Sequence, residues 1–382
     1  MELISKPYLR TKIETLDKWA WKGKVLVITG ARQVGKSTLI HQWLSKQNTI
    51  PAIYNVDDPE VMEMFEKFTL TRLKKIVGKS KIVVIDEVQR IQNAGLLLKL
   101  LADNFKEVQF IASGSSSLEI SEKIFEPLTG RHYNFHLYPM ALNEIYKGKT
   151  PFEIKQQLPF HLVYGMYPAI CRFKEDAEMN LKNLASQYLY KDVLVWKDIR
   201  KPELLEKLLK LLAYQVGSEI SVHELANKLK VKSETVENYI DLLEKSFVVY
   251  RLNCYSSNNR SEVTKMKKLF FYDNGIRNAV IGDFEAAETR TDIGKLWENF
   301  MVMERIKVND NRINNDCRNY FWRNLNQSEV DLVETEKKKI RAFEMKWGTF
   351  KKNYVTKSFT ALYPKAETQV VTPEDFEEFC RV

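Results

Sequence analysis

Lys24-Val-Leu-Val-Ile-Thr-Gly30-Ala31-Arg32-Gln33-Val34-Gly35-Lys36-Ser37-Thr38-Leu39 is an apolar run that turns into glycines, a lysine and hydroxyl residues before a helical pattern begins. The spacing is G-x-x-x-x-G-K-S between strand and helix, a complete Walker A motif. Glycines let the backbone N–H groups of such a loop turn toward phosphates at a helix N-terminus. Gly30, Ala31, Arg32, Gln33, Val34, Gly35, Lys36, Ser37 and Thr38 are therefore the expected cradle for a triphosphate. Lys36 is placed to reach the β- and γ-phosphates and Ser37 to ligate Mg²⁺.

About fifty residues on, Lys81-Ile-Val-Val-Ile-Asp86-Glu87 is a second apolar strand ending in two carboxylates, as a Walker B strand does. In parallel α/β sheets the nucleotide binds beyond the C-terminal strand ends. Asp86 is thus the expected holder of Mg²⁺ and Glu87 the group that polarises the attacking water. A third strand, Val108-Gln-Phe-Ile-Ala-Ser113-Gly-Ser115-Ser116, ends in small polar residues. Ser115 is either a sensor of the γ-phosphate or an N-cap of the next helix. Arg131, in Leu128-Thr-Gly-Arg131, is either an arginine finger, from its own subunit or across an interface, or a solvated surface residue.

A chain of 382 residues exceeds one ordinary core. With 44% hydrophobic and 29% charged residues, 14 Gly and 11 Pro, it is neither disordered nor fibrous. The net charge of +9 permits a nucleic-acid partner but is not concentrated: residues 256–382 hold 22 Lys/Arg against 20 Asp/Glu. Cys171, Cys254, Cys317 and Cys380 are far apart with no C-x-x-C, which points away from a zinc site or disulfide framework and toward a reducing cytoplasm. No run of about 18 apolar residues occurs and the N-terminus lacks a signal pattern, so no membrane association is expected.

Taken together, Gly30–Thr38, Ile85-Asp-Glu-Val-Gln89, Ser113-Gly-Ser-Ser116, Leu128-Thr-Gly-Arg131, Tyr138-Pro139, Gly165-Met-Tyr-Pro168 and Phe271-Tyr-Asp-Asn-Gly275 resemble the prokaryotic AAA-type ATPases with a C-terminal DUF4143 region. The resemblance spans nearly the whole chain. It implies an α/β P-loop NTPase domain with a parallel sheet (1–140), a helical connector or lid (141–202), a winged-helix-like domain (203–255) and a nuclease-like α/β domain (256–382). It also makes ATP the implied nucleotide, since residue spacing does not identify the base.

In the middle of the chain, Ala185-Ser-Gln-Tyr-Leu-Tyr-Lys-Asp-Val-Leu-Val195 has helical apolar spacing. Leu204, Leu205, Leu208, Leu211 and Leu212 form one helix face. Ser221-Val-His-Glu224 opens a short helix and Ser233 a second. Strand-like Phe247-Val-Val-Tyr-Arg-Leu252 and the polar loop Ser256–Arg260 complete a winged-helix outline. In its second helix Val236, Tyr239, Ile240 and Leu243 are expected in the core, leaving Glu234, Glu237, Asn238 and Asp241 outward, where they repel phosphate. A structural or protein-contacting role follows for that helix. Lys265-Met-Lys-Lys268 is the better candidate for a DNA contact, with a solvated loop as the plain alternative.

The C-terminal stretch reads Gly294-Lys-Leu-Trp-Glu298, then Glu329-Val-Asp331-Leu-Val, then Ala342-Phe-Glu344-Met-Lys346. In alternating strands Glu344 and Lys346 share one face, where Asp331 of a neighbouring strand can meet them. Such carboxylates with a lysine can bind a second Mg²⁺ or Mn²⁺, activate water and stabilise a phosphodiester transition state. The pattern resembles the restriction-endonuclease-like PD-D/E-x-K superfamily, with Asp331 and Glu344 as metal ligands, Lys346 beside them and Glu298 as the extra acid. A relic or a coincidental strand pair is the competing reading. Three functions stay open: an ATPase that places a nuclease-like domain on DNA, a regulatory ATP switch with an inert platform for protein or DNA, and, more weakly, a small-molecule kinase. An arginine finger supplied by a neighbour would require a homo-oligomer.

Overall fold

The computed structural model describes residues 8–115, 126–188, 201–256, 266–312, 316–324, 326–348 and 355–381. The chain divides between Pro139 and Met140 into two compact units, Lys245–Phe247 being grouped with the first.

The first unit is built on β1 (Val25–Gly30), β2 (Ala52–Asn55), β3 (Ile82–Asp86), β4 (Gln109–Gly114) and β5 (His132–Leu137). They form one all-parallel sheet in the order β2-β3-β4-β1-β5. The unbroken apolar runs of β1 and β3 explain their central places. Val25, Leu26, Val27 and Ile28 are all fully buried, as a strand covered on both faces must be. Alternate residues Val25, Val27, Val83 and Ile85 face one layer with Leu97, Leu98 and Leu101 of the helix Ala94–Asn104 and Leu73 and Ile76 of the helix Leu70–Val77. Burying each such side chain contributes roughly 1.5–3 kcal/mol, enough to lock the register and with it the positions of the strand ends.

In the second unit the helix Asn274–Ile281 packs against four others, Pro151–Tyr164, Ala177–Tyr188, Pro202–Tyr214 and Ile293–Asn311. Leu205, Leu208, Leu209 and Leu212 of Pro202–Tyr214 are buried, while Leu204 and Leu211 are only half-buried. The helices Val222–Leu229 and Ser233–Lys245 follow, the first capped by Ser221, whose hydroxyl accepts the Glu224 N–H at 3.2 Å. The strands β6 (Val249–Asn253) and β7 (Lys267–Phe271) then pair antiparallel, so the second strand of this hairpin lies beyond residue 255. The remaining strands, β8 (Arg318–Arg323), β9 (Glu329–Glu336), β10 (Lys339–Met345) and β11 (Glu367–Val371), make a sheet in the order β11-β10-β9-β8. The long helix Ile293–Asn311 packs on β9 and β10. Residues 189–195 of the expected connector helix, the loop residues 257–260 and Lys265 lie outside the described residues.

Candidate functional site

The sheet register of the first unit gathers one group of side chains at its C-terminal edge. Ile28 pairs with Ser113 and Ile85 with Ala112, so Asp86 and Ser113 are level with Ile28, and Gly30 follows two residues further toward the same edge. Gly30 passes so close to β5 that a Cβ on it would lie 2.3 Å from the Leu137 carbonyl oxygen, which restricts the position to glycine. Ala31 and Val34 are buried and anchor the loop, whereas Gln33, Ser37 and Thr38 are exposed and Arg32 is half-buried. Gly35, at φ 98°, turns the chain into the helix Lys36–Leu44, whose first-turn N–H groups carry the positive end of the helix dipole.

Ser37 donates its hydroxyl to Asp86 Oδ2 at 2.8 Å. The other carboxylate oxygen, Oδ1, accepts from Ser113 Oγ at 2.5 Å and from the Glu87 N–H at 3.0 Å. Lys36 is buried, with Nζ 3.0 Å from the carbonyl oxygens of Gly30 and Ala31. An alcohol and a carboxylate in contact beside a helix N-terminus are hard oxygen donors, the chemistry Mg²⁺ selects. Glu87 holds a left-handed backbone, φ 54°, immediately after the strand. Its carboxylate accepts from Gln89 Nε2 at 2.5 Å and lies 3.5 Å from Ser115 Oγ, which is itself 3.4 Å from Gln89 Nε2. A non-glycine residue in that conformation costs roughly 1–2 kcal/mol.

Arg131 does not join this group. Its carbonyl accepts from the Val25 N–H at 3.0 Å, and His132 pairs with Val25, the first residue of β1. It therefore sits at the opposite edge of the sheet, a strand length or roughly 17 Å from the loop. There its guanidinium holds Asp103 at 2.6 Å. The expectation of a finger serving its own site is corrected by this register. Ser113 and Gln89 are the residues that motif reading passed over as participants. The signal for Ser113 was a small hydroxyl residue at the end of the strand beside the acidic one.

The second unit brings Glu298, Asp331, Glu344 and Lys346 together and adds two residues, Glu329 and Lys268. β9 and β10 pair Phe343 with Leu332, which puts Glu344 beside Asp331. Asp331 Oδ2 accepts the Met345 N–H at 2.8 Å, and Glu344 pairs with Lys346 at 3.0 Å. Oxygens of Glu298, Glu329 and Asp331 lie within 4.8 Å of one another, a set that excludes Glu344. Lys268 projects into this set from β7. Its Nζ is 2.8 Å from Glu298 Oε1, 3.6 Å from Asp331 Oδ1 and in an ion pair with Glu329. Burial, reinforced by Asp331, pushes the Glu298 carboxyl up to about 8 and that of Glu344 up to about 7. The Lys268 ammonium group thus faces the acids expected to hold a second divalent ion.

Lys268 is 1% exposed, so it is not the surface DNA contact expected of the stretch 265–268. Strand alternation is the reason, since its neighbour Lys267 lies half-buried, 3.6 Å from Glu237. In the helix Ser233–Lys245, Val236, Tyr239, Ile240 and Leu243 are buried as expected. Its acids Glu237 and Asp241 hold Arg251 at 2.9 and 2.6 Å, with Glu244 completing the set at 2.6 Å.

A parallel sheet with lysine, serine and paired strand-end acids at one edge defines a P-loop ATPase-type domain. The family models agree: residues 22–146 match "AAA domain", 155–287 match "Domain of unknown function (DUF8612)" and 293–379 match "Domain of unknown function (DUF4143)". An AAA-domain match is thus followed by a DUF4143 match at residues 293–379, the combination the motifs resemble. The helices and hairpin between residues 202 and 271 fall in the DUF8612 match.

An uncharacterized protein of Methanocaldococcus jannaschii is 25% identical over 358 residues, covering 84% of this chain and 78% of that one. One of Haemophilus influenzae is 23% identical over 279 residues, covering 68% and 69%. Among solved structures, a signal transduction ATPase with numerous domains from Pyrococcus horikoshii, bearing a tetratricopeptide repeat sensor, aligns at 12% identity and a TM-score of 0.32. That alignment covers 80% of this chain but only 47% of the Pyrococcus one. Among the described residues no helix is long and apolar enough to cross a membrane.

Proposed function

We propose that this protein binds ATP with Mg²⁺ at Gly30–Thr38 and Asp86 and hydrolyses it, using the nucleotide state to govern what its C-terminal domain engages. The observation that carries the reading is the contact of Ser37 with Asp86 at the N-terminus of the helix that Lys36 opens. Mg²⁺, when bound there, neutralises phosphate charge. Lys36 would exchange its carbonyl partners, Gly30 and Ala31, for the β- and γ-phosphates. Glu87, held by Gln89 and adjoining Ser115, orients the attacking water and accepts its proton. In this reading Ser115, 3.5 Å from the same carboxylate, is the sensor of the γ-phosphate.

For the C-terminal domain, cleavage of DNA and inert binding of protein or DNA are the two readings. The burial of Lys268 among the acids favours the second. A nucleotide-binding assay with a hydrolysis assay tests the ATP reading. Lys36→Ala removes binding, whereas Glu87→Gln retains it and slows hydrolysis on the order of 10²-fold or more. Equal loss of binding in both variants contradicts the division of roles. Plasmid incubated with Mg²⁺ or Mn²⁺ tests cleavage, with Asp331→Ala as the control.

A further inference from the structure

We infer that Lys268 is the resident cation of the cluster formed by Glu298, Glu329 and Asp331, and that the cluster takes no divalent metal while this lysine is in place. The inference does not rest on the nucleotide reading.

Three observations carry it. First, the ammonium group faces all three acids: it is hydrogen-bonded to Glu298 at 2.8 Å, ion-paired with Glu329 and 3.6 Å from Asp331. Second, the lysine side chain is buried, 2% exposed, and its backbone is held on both sides. Leu252 of β6 pairs with Lys268, and Glu219 bridges to it from the other flank. On that flank Gly217 donates to Leu269 O at 2.9 Å and Ile220 to Lys267 O at 3.1 Å. Third, the carboxylates are otherwise engaged. Asp331 Oδ2 accepts the Met345 N–H, and Arg323 lies 3.7 Å from Glu329 Oε2 and 3.0 Å from Glu219 Oε1.

A divalent ion needs oxygen ligands at about 2.0–2.6 Å. It would have to enter within touching distance of a like charge in a site shielded from water, where such repulsion is least screened. The lysine joins β7, the helix Ile293–Asn311 and β9 through one charged knot. The domain then serves as a non-cleaving module in which this knot braces the hairpin against the sheet.

The test is Mn²⁺ uptake by the nucleotide-free full-length protein, followed through the electron paramagnetic resonance signal of the free ion. Wild-type protein and Asp331→Asn are expected to take up the same amount, any shared background belonging to Asp86 and removed by Asp86→Asn. Lys268→Met is expected to gain one Mn²⁺ site at least tenfold tighter than any wild-type background, and Asp331→Asn in the Lys268→Met background to lose it. A wild-type Mn²⁺ site abolished by Asp331→Asn overturns the inference, as does a folded Lys268→Met that gains no site. If Lys268→Met fails to fold, the comparison of wild type with Asp331→Asn decides alone.

Discussion

Ser113 donates its hydroxyl to Asp86 Oδ1 at 2.5 Å, while Ser37 takes the other oxygen of the same carboxylate at 2.8 Å. Asp86 is thus fixed from the neighbouring strand as well as from the phosphate loop, and its orientation does not have to be found at the moment of metal binding. Ser113→Ala removes one hydrogen bond to a charged group, worth roughly 1.5–3 kcal/mol. The expected outcome is a rise of about tenfold or more in the concentration of Mg²⁺ needed for half-maximal hydrolysis. Affinity for metal-free nucleotide should stay close to wild type. A Mg²⁺ titration of the hydrolysis rate at saturating ATP checks it.

Arg131 sits at the far edge of the sheet, paired with Asp103. Arg131→Ala is expected to leave the hydrolysis rate within about twofold of wild type, since a charge roughly 17 Å away cannot touch the reacting phosphate. Its stability cost is expected to be at most about 1 kcal/mol, as befits an exposed ion pair. A drop of the order of 10³ that depends on protein concentration would instead assign Arg131 to a neighbouring subunit's site.

Gly165 and Gly275 lie in two motifs that fold against each other. A Cβ on Gly275 would lie 2.3 Å from the Tyr164 carbonyl oxygen, and one on Gly165 would lie 2.0 Å from Asp273 Oδ1. Asp273 accepts the Met166 N–H at 2.6 Å, and Asn274 donates to the carbonyls of Leu162 and Leu296, each at 3.0 Å. Gly275→Ala therefore forces backbone apart and should destabilise the second unit by more than about 3 kcal/mol. Urea unfolding followed by tryptophan fluorescence measures the loss, which leaves nucleotide binding by the first unit as a control.

His161 is fully buried, with Nε2 2.5 Å from the Tyr146 hydroxyl and Nδ1 3.1 Å from the Gly165 carbonyl oxygen. Burial lowers its pKa to about 4. The unfolded chain, near the ordinary value of about 6.5, takes up a proton that the folded chain refuses. The stability of the second unit is consequently intact above about pH 6.5 and falls as pH drops toward 4, by up to roughly 1.4 kcal/mol per pH unit from this group. Denaturant unfolding at pH 7, 6 and 5 is expected to show a shallower pH dependence in His161→Gln, by about one proton. Equal slopes in the two proteins would remove the histidine from the account.

The phosphate loop was legible in the residue string because its parts are contiguous. A strand, a loop with glycine at two fixed places and a helix start need no distant partner to be recognised, and Asp86 and Glu87 announce themselves at the end of another apolar strand. The acids of the second unit were legible as types at plausible spacing, and the register brings Glu344 beside Asp331 with Lys346 3.0 Å from Glu344. Their meaning was not legible, because Lys268 reaches them from a hairpin read as a surface stretch.

The sequence by itself therefore determined the strand and helix on either side of the glycine loop and the acid-ended strand Ile82–Asp86, since these depend on periodicity and on short runs of backbone. Only the tertiary structure decided that Arg131 lies at the far end of its sheet, that Ser113 holds Asp86 and that a buried lysine faces three acidic side chains. Each of these depends on the register and order of strands distant in the chain, which is set by how whole faces pack and not by any local pattern.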